Sequence, residues 1–254
     1  MSNPGVPRQF RSNWVVDPHT GTYDATIRSP TGIASDPPLA GHGEEQARQL
    51  ARHVLTLDPP VDRIYSSPWY RCLQTLQPLM GALDERGCAE QCEVRGEHGL
   101  GEWYGSASFS HPSPASRSLL ASLFPFYSVT YQPVTHPSTT GETIRQLHDR
   151  VAQTLSGMIT RLDEEPGGPK AVLLCTHAAT LIAMGRVLTG HMPADLGEPD
   201  FKPFTCGLSK FVRRSRGNYA EEPGEWKGKG VAGGWDCVLN GDCHFLTGGE
   251  ERGW

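Results

Sequence analysis

No stretch of the 254 residues holds enough consecutive apolar side chains to span a bilayer, and Met1–Gln9 lacks the apolar centre of a secretion signal. Lysine-rich blocks are missing as well. With 23 basic against 28 acidic residues the net charge is −5. That argues against general binding to nucleic acid or to a membrane surface, while leaving room for a local arginine pocket. The seven cysteines are odd in number and scattered, so they form no disulfide framework. A reducing intracellular compartment, cytoplasmic or nuclear, is expected. Cys88 and Cys92 make a lone C-x-x-x-C with no second pair, and read as two loop thiols; no metal site and no cofactor is expected. No internal repeat is visible.

What is present alternates. Residues 1–42 are rich in Pro, Gly, Ser, Thr and Asp and read as extended loop. Ala47, Leu50, Val54 and Leu57 recur at helical spacing, predicting a helix from Gly43 to Leu57 that Asp58-Pro59-Pro60 ends. A strand at 62–66, a helix at Trp69–Leu83 and a short strand at Glu93–Arg95 follow. Residues 104–138 form a Pro- and aromatic-rich insertion, with a short helix at Ala115–Leu123 and Tyr104, Phe109, Phe124, Phe126 and Tyr127 as candidate lining of a lid. Thr139-Thr140-Gly141-Glu142 fits a capping box before a helix striped by Ile144, Leu147, Val151, Leu155, Met158 and Leu162.

Ala171–Thr176 is continuously apolar until its last residue, which predicts a central parallel strand covered on both faces. A helix at Ala178–Leu188, a strand at Cys206–Arg213, a Gly-rich stretch at Gly217–Gly234 expected to be mobile, and a hairpin at Asp236–Leu246 complete the chain. One α/β domain over residues 1–254 is expected, with helices on both faces of its sheet.

Two strand ends carry the candidate chemistry. Thr176-His177 sits where a strand passes into a helix, so the imidazole lies beside free backbone N–H groups and the positive end of a helix dipole. It can donate a hydrogen bond to a phosphate oxygen or merely cap the helix. Arg71, after Ser66-Ser67-Pro68 at the other strand end, suits bidentate phosphate recognition, or else pairs with a carboxylate such as Asp62. Glu102 follows Gly99-Leu100-Gly101; shelter by Trp103 and Tyr104 would raise its pKa into the range of a general acid, the alternative being a surface loop glutamate. Arg11, Ser12 and Asn13 are donors of the right type in a segment without structural signal. Arg213 and Arg214 read as a solvated strand edge, His42 as a helix-start residue, and His53 as exposed. His98 is notable only for its nearness to Glu102.

Several motifs occur in one order: Asp36-Pro37-Pro38-Leu39 with Gly43 and Gln46-Ala47, then Ser66-Ser67-Pro68-x-x-Arg71-Cys72-x-Gln74-Thr75, Gly141-Glu142-Thr143 with Arg150-Val151, and Thr176-His177. In that order they resemble the histidine phosphatase (phosphoglycerate-mutase-like) superfamily. Phe10-Arg11-Ser12-Asn13-Trp14, Glu102-Trp103-Tyr104-Gly105 and the late Gly241-Asp242-Cys243-His244 run are similar to its fungal members, some of which serve in a transcription-factor assembly.

The resemblance implies a three-layer α/β/α sandwich with a mostly parallel central sheet and a small lid insertion. It further implies a phosphomonoesterase in which the histidine of an R-H-G motif attacks phosphorus. Arg71, His177, Arg11 and Asn13 would bind phosphate, with Glu102 as proton donor and His177 completing the catalytic pocket. These 254 residues contain no R-H-G: Pro7-Arg8-Gln9 stands before Phe10, with no apolar strand ahead of it. The usual first strand is therefore expected to be lacking and turnover impaired. Two readings stay open: an active phosphatase whose strand and R-H-G lie upstream in a longer gene reading, or a pseudo-phosphatase that binds phosphate or protein partners.

Overall fold

The computed structural model describes residues 14–88, 93–214 and 234–252. At its centre lies β3 (Arg63–Ser66), where successive side chains point into opposite apolar layers. Ile64 enters a cluster built with α1 (Gly41–Val54), α2 (Tyr70–Glu85) and α3 (Arg117–Leu123). Tyr65 enters one built with α4 (Ile144–Glu164) and α5 (Ala178–Thr189). Parallel strands flank β3, with β4 (Val94–Gly96) on one side and β5 (Val172–Cys175) on the other. The expected three layers, helices over both faces of a parallel sheet, are thus present.

Helical periodicity explains each helix face. Ala47, Ala51 and Val54 of α1 are buried, as are Leu73, Leu76, Leu79, Met80 and Leu83 of α2. On α4 the stripe from Leu147 to Leu162 is buried, but Ile144 is 38% exposed, so the buried face starts one turn later than its apolar spacing suggests. The capping box lies at Thr143 and Gln146 rather than at Thr139–Glu142. Gly141, at φ +80°, turns the chain out of helical geometry before Thr143, so the earlier box cannot form.

β5 departs from expectation. Among the described residues it pairs with β3 alone, and Val172 is 36% exposed. Its uninterrupted apolar composition belongs to a strand with neighbours on both sides. β6 (Leu208–Arg213) and β7 (Trp235–Asp242) form a separate antiparallel pair, so the expected hairpin within 236–246 is replaced by pairing across the chain. Arg213 and Arg214 on this edge pair with Asp163 and Asp236, all at 2.8 Å.

A hairpin of β1 (Trp14–Val16) and β2 (Tyr23–Ala25) stands where loop was expected. Its turn is closed by Asp17, whose carboxylate accepts from the His19 N–H at 2.8 Å and the Thr20 hydroxyl at 2.9 Å. The Gly217–Gly234 expectation falls almost wholly outside the described residues. No described helix is long and apolar enough to cross a membrane.

Candidate active site

The carboxyl ends of β3 and β5 lie side by side, since the Ser67 amide donates to the Cys175 carbonyl at 2.8 Å. Each strand then opens into a helix. Pro68 ends β3 because it has no N–H for the ladder, and α2 begins at Tyr70; β5 ends at Cys175, and α5 begins after His177. Arg71 and His177 are thereby brought together from opposite sides of the sheet's end.

Arg71 Nη2 donates to Glu102 Oε2 at 2.8 Å, and Nη1 donates to Asp36 Oδ1 and the Ser35 carbonyl, both at 3.3 Å. The guanidinium also lies 5.3 Å from the centre of the Trp69 ring. His177 Nδ1 is 3.2 Å from Glu102 Oε2, and Nε2 is 2.7 Å from Ser67 Oγ. Burial would push His177 down, but the Cys72 sulfur and the Glu102 carboxylate outweigh it and lift the pKa to about 9. Arg71 Nη2 also lies 3.1 Å from His177 Nδ1, so the guanidinium and Glu102 meet at the same ring nitrogen.

For Glu102 the expected direction reverses. Burial does favour its neutral form, but His177, Arg71 and the Trp103 amide at 3.0 Å hold the carboxyl well below the usual range. In the ligand-free site it is a carboxylate.

Three participants escaped the sequence reading. Asp36 is fully buried; its Oδ2 accepts from the Tyr70 amide at 2.9 Å and so occupies the anion position at the start of α2. Ser67 holds the His177 ring. Cys72 Sγ lies 3.6 Å from His177 Nε2. A hydrogen bond from the Cys175 thiol, with the His177 and Arg71 charges, holds the Cys72 thiol well below its ordinary range despite burial. Asp36 and Ser67 were legible as motif letters, but nothing local showed their partners.

A second layer fixes Glu102. The Arg150 Nε–H is shared between the two Glu142 carboxylate oxygens at 2.9 and 3.0 Å, and Nη1 donates to the carbonyls of Gly99 at 2.7 Å and Gly101 at 3.3 Å. Thr176 and Thr180 donate to the Leu100 and Gly101 carbonyls at 2.7 and 2.8 Å. Fully buried Glu97 accepts from the Gly99 and Val134 amides, both at 2.8 Å, and from the Tyr131 hydroxyl at 2.7 Å. The backbone ahead of Glu102 is thus held from three sides.

Of the other candidates, Arg11, Ser12 and Asn13 lie outside the described residues. His98 packs against His136, ring centres 4.6 Å apart; burial, then that neighbour, push its pKa down to about 4. His42 lies at the start of α1, exposed and 2.8 Å from Glu251. Within the insertion, Tyr104 donates to Ser35 Oγ at 3.1 Å and stacks on His111, whereas Phe109 packs edge-on to His111. Phe124, Phe126 and Tyr127 pack into the hydrophobic core. They complete the core between α2 and α3, because Phe124 and Tyr127 turn inward from the end of α3.

Chemically, Arg71 is already engaged by two carboxylates, so an oxyanion that binds the guanidinium competes with Glu102 and Asp36. The start of α5 remains the open donor edge, since the His177 side chain does not cap it.

A sequence profile described as the histidine phosphatase superfamily (branch 1) matches residues 21–224. The chain is 32% identical over 256 residues to the transcription factor tau 55 kDa subunit of Saccharomyces cerevisiae, covering 96% of this chain and 56% of that protein. It is 28% identical over 170 residues to the ecdysteroid-phosphate phosphatase of Drosophila melanogaster, covering 67% of this chain and 22% of that protein. The chain therefore spans about half or less of the length of these relatives. Among solved structures, the native mycobacterial glucosyl-3-phosphoglycerate phosphatase is 14% identical with a TM-score of 0.51, over 85% of this chain and 91% of that one. The ecdysone phosphate phosphatase from Bombix mori, in complex with tungstate, is 22% identical with a TM-score of 0.50, over 66% and 62%. These structural likenesses show the fold, and the profile match together with the 32% identical relative establishes that the chain belongs to the histidine phosphatase superfamily.

Proposed function

We propose that this chain binds phosphate, free or on a phosphorylated substrate, at the Arg71–His177–Glu102 cluster, and that the residues it contains do not carry out turnover. The observation behind this reading is the packing of His177. Its Nε2 lies 2.7 Å from Ser67 Oγ and its Nδ1 lies 3.2 Å from Glu102 Oε2 and 3.1 Å from Arg71 Nη2, so both ring nitrogens are engaged within the cluster and neither is free to attack phosphorus. Among the described residues no second imidazole bonds into the cluster, and the sequence supplies no R-H-G. Arg71 and the first amides of α5 provide the remaining donors.

The likeness to the tau subunit supports a place in a nuclear protein assembly, held through protein contacts rather than through direct contact with nucleic acid. The mildly acidic charge fits that role. The test pairs phosphate-dependent thermal stabilisation with hydrolysis of p-nitrophenyl phosphate. Stabilisation by millimolar phosphate, lost in Arg71→Gln and His177→Gln, with no phosphoenzyme and no turnover, is the expected result. Turnover that His177→Gln abolishes would overturn the non-catalytic reading.

A further inference from the structure

His53, the penultimate residue of α1, meets Asp242 at the end of β7 and His244 just beyond it. One donor atom from each lies within 4.8 Å of the other two. His53 is half-buried rather than exposed, because its ring stacks on Phe245 at 4.2 Å and 7°. Neither of its ring nitrogens has a hydrogen-bond partner among the described residues. The His244 ring meets it edge-on at 5.0 Å, and His244 Nδ1 lies 2.7 Å from Asp242 Oδ2.

We infer that His53, Asp242 and His244 form a divalent transition-metal site, of the zinc class, that fastens the C-terminal segment to α1. The donor set decides the class. Two imidazoles and one carboxylate suit zinc-type ions, whereas calcium and magnesium take all-oxygen shells. Zinc–ligand bonds are about 2.0–2.2 Å, so donors already within 4.8 Å need to move by only about an ångström. Two of the three side chains are placed in advance. His53 is fixed by the helix and by Phe245, and Asp242 is 20% exposed at the end of a paired strand.

The segment carrying His244 already docks on the same helix. Gln49 exchanges two hydrogen bonds with Thr247, at 2.7 and 3.0 Å, and His42 bonds Glu251 at 2.8 Å. An ion at His53 would close this seam at the C-terminal end of α1, leaving a fourth coordination position for water. The ligands come from opposite ends of the chain, so no motif spacing shows them, and the sequence reading accordingly expected no metal.

The test titrates Zn²⁺ into tag-free, chelator-treated protein by calorimetry. One ion per chain with micromolar or tighter affinity is expected, weakened at least tenfold in His53→Gln and in His244→Gln. The His244 side chain is 66% exposed, so its replacement leaves the fold intact. On the unsubstituted protein, X-ray absorption of the bound zinc should show a nitrogen and oxygen shell with two imidazoles. Binding unchanged in His244→Gln, a shell containing sulfur, or no binding below millimolar Zn²⁺ would each overturn the assignment.

Discussion

Asp36 Oδ2 accepts the amide of Tyr70 at 2.9 Å, so the N-terminus of α2, the obvious anion site in the sequence, is already filled by one of the chain's own carboxylates. The same residue accepts from Arg71 at 3.3 Å. Asp36 thus sets both the start of the helix and the aim of its arginine, and the open anion edge passes to α5.

Asp36→Ala should destabilise the fold by about 2–4 kcal/mol, because it removes a buried helix cap and leaves Arg71 short of a partner. Urea unfolding measures this. A loss below about 0.5 kcal/mol would mean that water takes over both bonds.

The charge on His177 gives stability a direction in pH. Its folded-state pKa of about 9 lies above the ordinary 6.5. The contribution of this group is complete below pH 6.5 and disappears as the pH climbs through 9, amounting to about 3 kcal/mol over that window. The Cys72 thiol, held below its ordinary range, contributes in the opposite sense, so the His177 term is read from its own ring: the NMR titration midpoint of His177 should lie above 6.5. Glu102→Gln should bring the imidazole pKa down, which histidine ring NMR would follow.

Glu142→Ala leaves the Arg150 guanidinium buried without its carboxylate, as the two side chains are only 7% and 4% exposed. A loss of about 3–5 kcal/mol is expected. Arg150→Lys should cost nearly as much, since a single ammonium cannot span both Glu142 and the Gly99 carbonyl. Thermal melts of the three proteins decide the point.

Gly99 packs beneath the Thr135 and Thr154 hydroxyls, which bond to each other at 2.6 Å. A methyl group there meets both. Gly99→Ala should cost about 1–3 kcal/mol and weaken phosphate-dependent stabilisation by shifting Glu102. Full stability with unchanged phosphate response would show that the loop can move aside.

The helices and parallel strands could be read from the sequence because apolar periodicity is local, and α2 and α4 match it closely. That β5 pairs with β3 alone among the described residues could not, since an apolar run such as Val172–Cys175 does not record which strands lie beside it. The site was half legible. Arg71, His177 and Glu102 stand at chain positions that advertise chemistry, beside turns and strand ends. Asp36, Ser67 and Glu97 matter only through partners tens of residues away, and the low pKa of Glu102 follows from two charges that arrive by folding. Phe124 and Tyr127 looked like lid lining because an insertion rich in aromatics reads the same whether it faces a ligand or a core.

Asp36, Arg71, Glu102 and His177 meet at one point although they are spread across most of the chain, and no two of them share a helix or strand. Each contact closes a long loop, so the cluster cannot nucleate folding and forms only after both helical layers have closed on the sheet. Substitutions within it should therefore speed unfolding far more than they slow refolding. The site is a late event in the life of the chain, and kinetically it marks the completed fold.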